Sequence, residues 1–357
     1  MVFFGIYFLA AQVPDKVAYA NYLRSRRIMG VALLTLAANY CVHFFVQLRF
    51  SNPDMATFIN LSTYFLEAWL FSSALNLLLD RKYLKHYRFW KHIAYWTLYT
   101  AVSSIVIFLL NDNTLRKMAM LFMALWFFVY AAGLARRLII AYKRAVHAMD
   151  DYYSDDVAVY IRWMSQFTYW AVIYGVSCGL LTFLPEKYIF LWVLSSVPFY
   201  TYLFVSYMNY LLFCQQVQKA FEEEPLLPEQ ESTTSGKTVV QDGIPTCYGN
   251  LADKLEQWIA ERRFAENGIT AAELAVAMIS NRTYLAEYIK LKYGVSFREW
   301  IGRLRIEYAK ELLIKKSELS VAEIANRVGY QSSTHFIKLF SESEGVSPAK
   351  WRKEQLK

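Results

Sequence analysis

Between residues 28 and 213 six apolar runs follow one another, and that succession limits the fold more than any other feature of the chain. They cover residues 28–48, 57–79, 92–110, 118–135, 161–184 and 188–213. Each approaches the roughly 20 residues with which a helix crosses a hydrocarbon core of about 30 Å. Packed as core helices of a water-soluble protein, six such runs would leave no polar exterior. The spacing therefore predicts a polytopic transmembrane helical bundle. Aromatic residues gather towards several ends, as Trp90, Tyr95 and Trp96 do, which suits an interfacial belt. Residues 1–11 are also apolar, but at about 16 Å of helix they are short for a span. They lack the basic start and cleavage site of a signal peptide. The count stays open at six or seven spans.

The flanking charge sets an orientation. Lys16, Arg24, Arg26 and Arg27 precede the first long run. Arg81, Lys82, Lys85, Arg88 and Lys91 follow the second, and Arg136, Arg137, Lys143 and Arg144 follow the fourth. The alternate loops hold Arg49, then Arg116 and Lys117, then Lys187. Basic residues are retained on the cytoplasmic side. The charge-rich loops, and with them everything after residue 213, are expected in the cytoplasm, with the bundle multi-pass in the cytoplasmic membrane.

Some polar groups stand inside the runs. Asn39, His43 and Gln47 recur every fourth residue and share a helix face, as do Asn60, Tyr64 and Glu67. A carboxyl at mid-membrane depth costs several kcal/mol unless it faces the bundle interior or water. These groups read either as a cavity that binds a small signal molecule, with Asn39, His43, Tyr64 and Glu67 lining it, or as hydrogen-bonding glue between helices. Ser195, Ser196, Tyr200, Ser206 and Asn209 add polar groups to the last run. No metal-type His/Glu spacing, phosphate loop or nucleophile elbow occurs in the chain. Cys41, Cys178, Cys214 and Cys247 show neither paired nor zinc-type spacing. The residues thus name no cofactor and no catalytic group, and an enzyme is not expected.

After residue 213 the character changes. Residues 214–249 are acidic and rich in Pro and Ser, the composition of a flexible connector. Residues 250–357 have the charge density of a soluble domain, with 18 Lys+Arg against 14 Asp+Glu, a net +4 of the chain's +8. Leu251, Leu255, Trp258 and Ile259 mark one face of a first helix. Thr270 reads as an N-cap with Glu273 as its capping-box partner, opening a short helix over 271–278. Residues 279–280 turn, and 281–293 form a second helix ended by Gly294. Residues 297–316 then form a long amphipathic helix, on which Arg303 and Arg305 read as phosphate contacts or as a solvated face.

The same plan repeats at 319–352. Ala322, Ile324, Ala325 and Val328 form a small apolar face, Gly329 permits a left-handed turn, and Phe336, Leu339 and Phe340 hold the next helix against the first. Ser333, Thr334, His335 and Lys338 are left facing away, short or cationic groups suited to base edges and phosphates. Each half reads as a helix-turn-helix.

The run Gly329, Tyr330, Gln331, Ser332, Ser333, Thr334, His335, Phe336, Ile337, Lys338, Leu339, Phe340, with Gly345, Pro348 and Arg352 after it, resembles the second helix-turn-helix of the AraC/XylS family of bacterial transcription regulators. The first motif resembles its counterpart less closely around Ser280, Asn281, Arg282, Thr283, Tyr284 and Leu285. The resemblance covers about residues 250–357. It implies sequence-specific binding of double-stranded promoter DNA, with RNA polymerase as a further partner. It places Arg282, Thr283, Tyr284 and Glu287 of the first motif, and Ser333, Thr334, His335 and Lys338 of the second, at the DNA. Lys350 and Arg352 are expected to clamp the backbone. Partners outside this set are the lipid bilayer, an unnamed membrane or small-molecule signal, and a second copy of the chain in a homodimer. The expected architecture is all-α, with a transmembrane domain over 1–213, a linker over 214–249 and a DNA-binding domain over 250–357. A transporter or membrane enzyme carrying a regulatory DNA-binding tail is the alternative.

Overall fold

The computed structural model describes residues 1–13, 19–80, 83, 86–110, 112–181, 189–221, 240–241, 244–245, 249–316 and 318–356. Most of the connector expected at 214–249, the side chains of Cys178 and Cys247, and the basic residues Lys16, Arg81, Lys82, Lys85 and Lys187 lie outside the described residues. What is described is almost wholly helical. The helices run α1 (Val2–Ala10), α2 (Ala20–Val46), α3 (Leu48–Ser51), α4 (Pro53–Leu79), α5 (His86–Phe108), α6 (Asn113–Asp150), α7 (Arg162–Leu181) and α8 (Ile189–Phe221). A two-residue antiparallel pair, β1 (Val240–Gln241) with β2 (Ile244–Pro245), follows. The tail contains α9 (Gly249–Ala260), α10 (Ala271–Ala277), α11 (Arg282–Tyr293), α12 (Phe297–Lys315), α13 (Val321–Arg327), α14 (Ser333–Glu344) and α15 (Pro348–Gln355).

The chain divides into two units, residues 1–145 with 159–219, and residues 146–158 with 220–357. In the first unit each of the six apolar runs is one helix of α2 and α4–α8. Among the described residues two of these helices, α2 and α6 from Thr114, are long and apolar enough to cross a membrane. Residues 136–150, read above as a basic loop, instead continue α6 without a break. No proline or glycine stands among them to stop it. The helices of this unit are held by aromatic stacking and a few buried polar bonds. Phe65 stacks on Tyr99 of α5 at 4.2 Å and on Tyr130 of α6 at 4.1 Å between ring centroids. Ser25 and Tyr207 share a hydrogen bond of 2.9 Å, and the Tyr210 hydroxyl donates to the carbonyl of Leu78.

The second unit has two apolar cores bridged by α12. Leu251, Leu255, Trp258, Leu274, Leu285, Ile289, Trp300 and Ile301 belong to the first. Ile306, Ala309, Leu313, Ile324, Val328, Phe336 and Phe340 belong to the second. Fully burying one such side chain is worth about 1.5–3 kcal/mol. The middle helix therefore ties together two motifs that would each have a small core alone.

Candidate nucleic-acid interface

The two motifs are built from the same local parts. Thr270 and Ser320 each cap a seven-residue helix through a full capping box, with Glu273 and Glu323 as the reciprocal acceptors. The second helix of each motif has twelve residues and its own side-chain cap, from Asn281 to the Tyr284 N–H and from Ser332 to the His335 N–H. Each ends on a glycine of positive φ, Gly294 and Gly345. The bond from the backbone of Ser320 draws the Glu323 carboxyl below its usual range.

Gly329 has φ +95°, the left-handed turn expected of it, and it serves a second purpose. A Cβ there would lie 2.7 Å from the carbonyl oxygen of Ala265 and 2.9 Å from Arg305 Nε. Arg305 itself is 1% exposed, so it cannot touch phosphate as the sequence allowed. Its Nε donates to the carbonyl of Phe264 at 3.0 Å and its Nη2 to that of Glu266 at 2.7 Å. Its Nη1 lies 3.5 Å from Asp155 and its guanidinium 5.3 Å from the Tyr330 ring centre. Arg305 is a clamp between the motifs. Arg303, two residues earlier, is exposed and paired with Glu299 at 2.7 Å.

On the first motif, Thr283 and Glu287 are exposed on α11. Arg282 is half-buried, its guanidinium 5.0 Å from the Tyr152 ring centre, and Tyr284 packs partly against the first core. On α14, Thr334 and Lys338 are exposed, while Ser333 and His335 are half-buried. Lys338 lies 3.8 Å from Glu342, an exposed i,i+4 pair worth little against a phosphate partner. His335 faces the Tyr330 ring at 6.0 Å. Burial, then the cations Arg298 and Lys338, hold its imidazole below the usual value against the pull of Asp156 and Asp155. That shift favours the neutral imidazole, which can both donate and accept a hydrogen bond. On α15, Lys350 is exposed and 3.8 Å from Glu354, and Arg352 is half-buried.

A further group of residues lies against the tail without any helix-turn-helix signature. Residues 146–158, the end of α6 and the turn before α7, pack with the DNA-binding tail. The signal was present in Asp150, Asp151, Asp155 and Asp156, four carboxylates on a segment weighed only for its upstream Lys and Arg. Arg298 meets two of them, Asp150 at 2.7 Å and Asp156 at 3.6 Å.

The groups expected to sense a signal are all in the first unit. There a cavity of about 410 Å³ is lined by Tyr40, Asn60, Tyr64, Glu67, Phe71 and Phe127 among others. Glu67 and Tyr64 line it together. Asn39 stands one step behind, its amide donating to Asn60 at 3.1 Å, and His43 is not part of the lining.

Comparison with known proteins bears on the tail. Residues 274–354 match the family model described as "Helix-turn-helix domain". The Msm operon regulatory protein of Streptococcus mutans is 29% identical over 133 residues, 37% of this chain and 42% of that protein. The HTH-type transcriptional regulator MtrA of Neisseria gonorrhoeae is 37% identical over 82 residues, 23% of this chain and 27% of that one. The chain thus spans less than half the length of these relatives. Among solved structures, the C-terminal domain of AraT, a response regulator from Geobacillus stearothermophilus, is 33% identical. That likeness covers 29% of this chain and 84% of the other, with a TM-score of 0.27. Over residues 274–354 this chain carries a helix-turn-helix DNA-binding domain of the AraC type.

Proposed function

We propose that this chain is a membrane-held, one-component transcription regulator of a bacterial cell. In this reading the first unit sits as a multi-pass bundle in the cytoplasmic membrane, senses a signal there, and controls promoter binding by the tail on the cytoplasmic side. The observation that carries it is the pairing of two complete helix-turn-helix motifs with a unit whose long helices turn apolar side chains outward. On α6, Leu115, Met118, Phe122, Leu125 and Val129 are all exposed, a surface that lipid would cover. The 19 residues of α12 span about 28 Å, close to the ~34 Å of one DNA turn. Two second helices at that separation would enter successive major grooves on one face of the duplex, with Thr283 and Glu287 in one and Thr334, His335 and Lys338 in the other. RNA polymerase and a second copy of the chain are the protein partners this reading entails.

The test is made in cells. DNA is cross-linked to tagged full-length protein, membranes are isolated and the attached DNA is sequenced. Enrichment of a few promoters in the membrane fraction is expected. Enrichment with a soluble fragment alone would replace direct sensing by proteolytic release, and no enrichment would sink the regulator. A transporter or membrane enzyme with a regulatory tail is the second reading, favoured by the buried carboxyl of Glu67 in its cavity. Under it, Glu67→Gln abolishes transport or turnover. Under the first, the substitution changes only the response of the target promoters.

A further inference from the structure

Given the sensing role proposed above, the lining of the cavity in the first unit points to the kind of molecule it holds. Glu67 is 5% exposed, and neither of its carboxyl oxygens meets a hydrogen-bond donor among the described residues. Among the described residues the cavity lining contains no lysine, arginine or histidine to offer this acid a counter-charge. Its polar groups are hydroxyls and one amide, and the rest is aliphatic or aromatic, with Phe71, Phe127, Phe167 and Phe199 among the rings. A buried carboxylate without a partner is strongly disfavoured, and a ring face attracts a cation. A volume of about 410 Å³ lies within the size range of small-molecule sites. We propose that this cavity binds a lipophilic amine, its apolar body among the rings and its ammonium on Glu67.

The test uses full-length protein in lipid nanodiscs and three probes on one rigid cage: 1-adamantanamine, 1-adamantanol and 1-adamantanecarboxylate. Tritiated amine is expected to bind saturably above empty nanodiscs and to be displaced by unlabelled amine but by neither of the others. Glu67→Gln should weaken it at least tenfold, and Glu67→Asp, which keeps the charge, should retain the preference for amine. Absence of saturable binding overturns the proposal, as does equal displacement by the alcohol or unchanged affinity in Glu67→Gln. Because no DNA is involved, this result stands or falls apart from the regulator reading.

A separate observation carries a second inference. The segment 150–156 is hydrogen-bonded onto the tail through an antiparallel bridge of Tyr153 with Thr270. The Ala271 N–H donates to the carbonyl of Tyr152 at 2.7 Å and the Ser154 N–H to that of Ile269 at 3.1 Å. The segment thereby occupies the Ala271 N–H in the first turn of α10. Its carboxylates pair with Arg298 and Arg305, Tyr152 covers Arg282 at the start of α11, and Asp155 and Asp156 border His335 in the first turn of α14. The segment thus stands beside the N-terminal turns of both second helices, with an aromatic ring at α11 and carboxylates at α14, where a DNA backbone would bring phosphates. We infer that this acidic turn and DNA compete for one face of the tail. The turn joins α6 to α7, and both helices contribute to the cavity lining, through Leu134 and Leu138 and through Phe167 and Thr168. An occupant of the cavity has a covalent route to the turn.

Tyr153 and Thr270 form the non-hydrogen-bonded kind of antiparallel pair, with Cα atoms about 4.5 Å apart, within reach of a disulfide. Full-length protein is prepared in nanodiscs with its four cysteines replaced by serine and with Tyr153→Cys and Thr270→Cys. Binding to a mixed-sequence 40-base-pair duplex is followed by fluorescence anisotropy. The disulfide is expected to form, to weaken binding at least tenfold and to release it on reduction. In parallel, Asp150→Asn with Asp155→Asn and Asp156→Asn should tighten binding more than the charge-matched set Glu261→Gln, Glu311→Gln and Glu318→Gln. Failure of the disulfide to form, equal binding by oxidised and reduced protein, or equal tightening by both sets overturns the inference.

Discussion

The two helix-turn-helix motifs of the tail meet one geometric demand with different residues. In each, the turn contains a residue of positive φ, and the next N–H reaches back five residues. Ser280 donates to Ala275 and Tyr330 to Ala325, both at 2.9 Å. In the first motif the left-handed residue is Ile279, with φ 56° and a side chain 85% exposed. In the second it is Gly329, against which the Ala265 carbonyl and Arg305 close in. The first turn faces open solvent and carries a β-branched residue at the cost of backbone strain. The second turn is packed against its partner motif and admits no Cβ at all. The lesson is that the motifs are not independent: the second is fastened to the first through the segment 264–266 and the arginine beneath it.

The strongest way to break this asymmetry is Arg305→Met. Two carbonyls and Asp155 lose their buried partner, and leaving one side of such an arrangement unpaired costs about 3–5 kcal/mol. Hydrogen exchange on the full-length protein is expected to show α13 and α14 opening far more readily, together with the residues around Phe264. If only α12 responded, the clamp would not join the motifs. Gly329→Ala comes next. Left-handed backbone costs an alanine about 1–2 kcal/mol, and overpacking adds a similar amount, so a loss of about 3 kcal/mol is expected in the second motif. Gly345→Ala, with φ +75° and open space around it, supplies the internal control and should show the backbone cost alone. Equal losses at the two glycines would remove the packing argument.

The capping boxes sharpen the comparison from the other side, because there the motifs are alike. Thr270→Ala and Ser320→Ala should each cost about 1 kcal/mol, read as faster exchange in the first turns of α10 and α13. A markedly larger effect at Thr270 would mean that the docked turn 150–156 shares in that helix start, since it bonds the N–H of Ala271.

Much of the tail was legible because its devices are local. Thr270 with Glu273, the glycines at 294, 329 and 345, and the apolar spacing of 336, 339 and 340 each act within a turn or two of helix. Arg305 was misjudged because charge was weighed before position. Ile301, Arg305, Ala309 and Leu313 stand every fourth residue on α12, and the row is buried throughout. The row could have been read from spacing alone. The docking of 150–156 could not, since it joins residues more than a hundred positions apart through backbone bonds that carry no side-chain signature. In the first unit periodicity located the helices, but apolar runs look alike on every face. Which polar residue meets the cavity was therefore settled by packing. Glu67 and Tyr64 line it, while His43, on an equally plausible face of α2, does not.

The smallest effect runs in the opposite direction and tests the comparison most directly. At Ile279 the left-handed conformation costs about 1–2 kcal/mol relative to glycine, while glycine loses about 0.5–1 kcal/mol to its greater freedom in the unfolded chain. The side chain is almost fully exposed, so little burial is forfeited. Ile279→Gly should therefore stabilise the first motif by about 0.5–1 kcal/mol, seen as slower exchange in α10 and α11 with α13 and α14 unchanged. Were the same substitution to destabilise those helices, Ile279 would have to be held by something other than its backbone. The exposed residue of the first turn would then be under a constraint that its solvent-facing position does not explain, and a partner surface covering it would become the natural place to look.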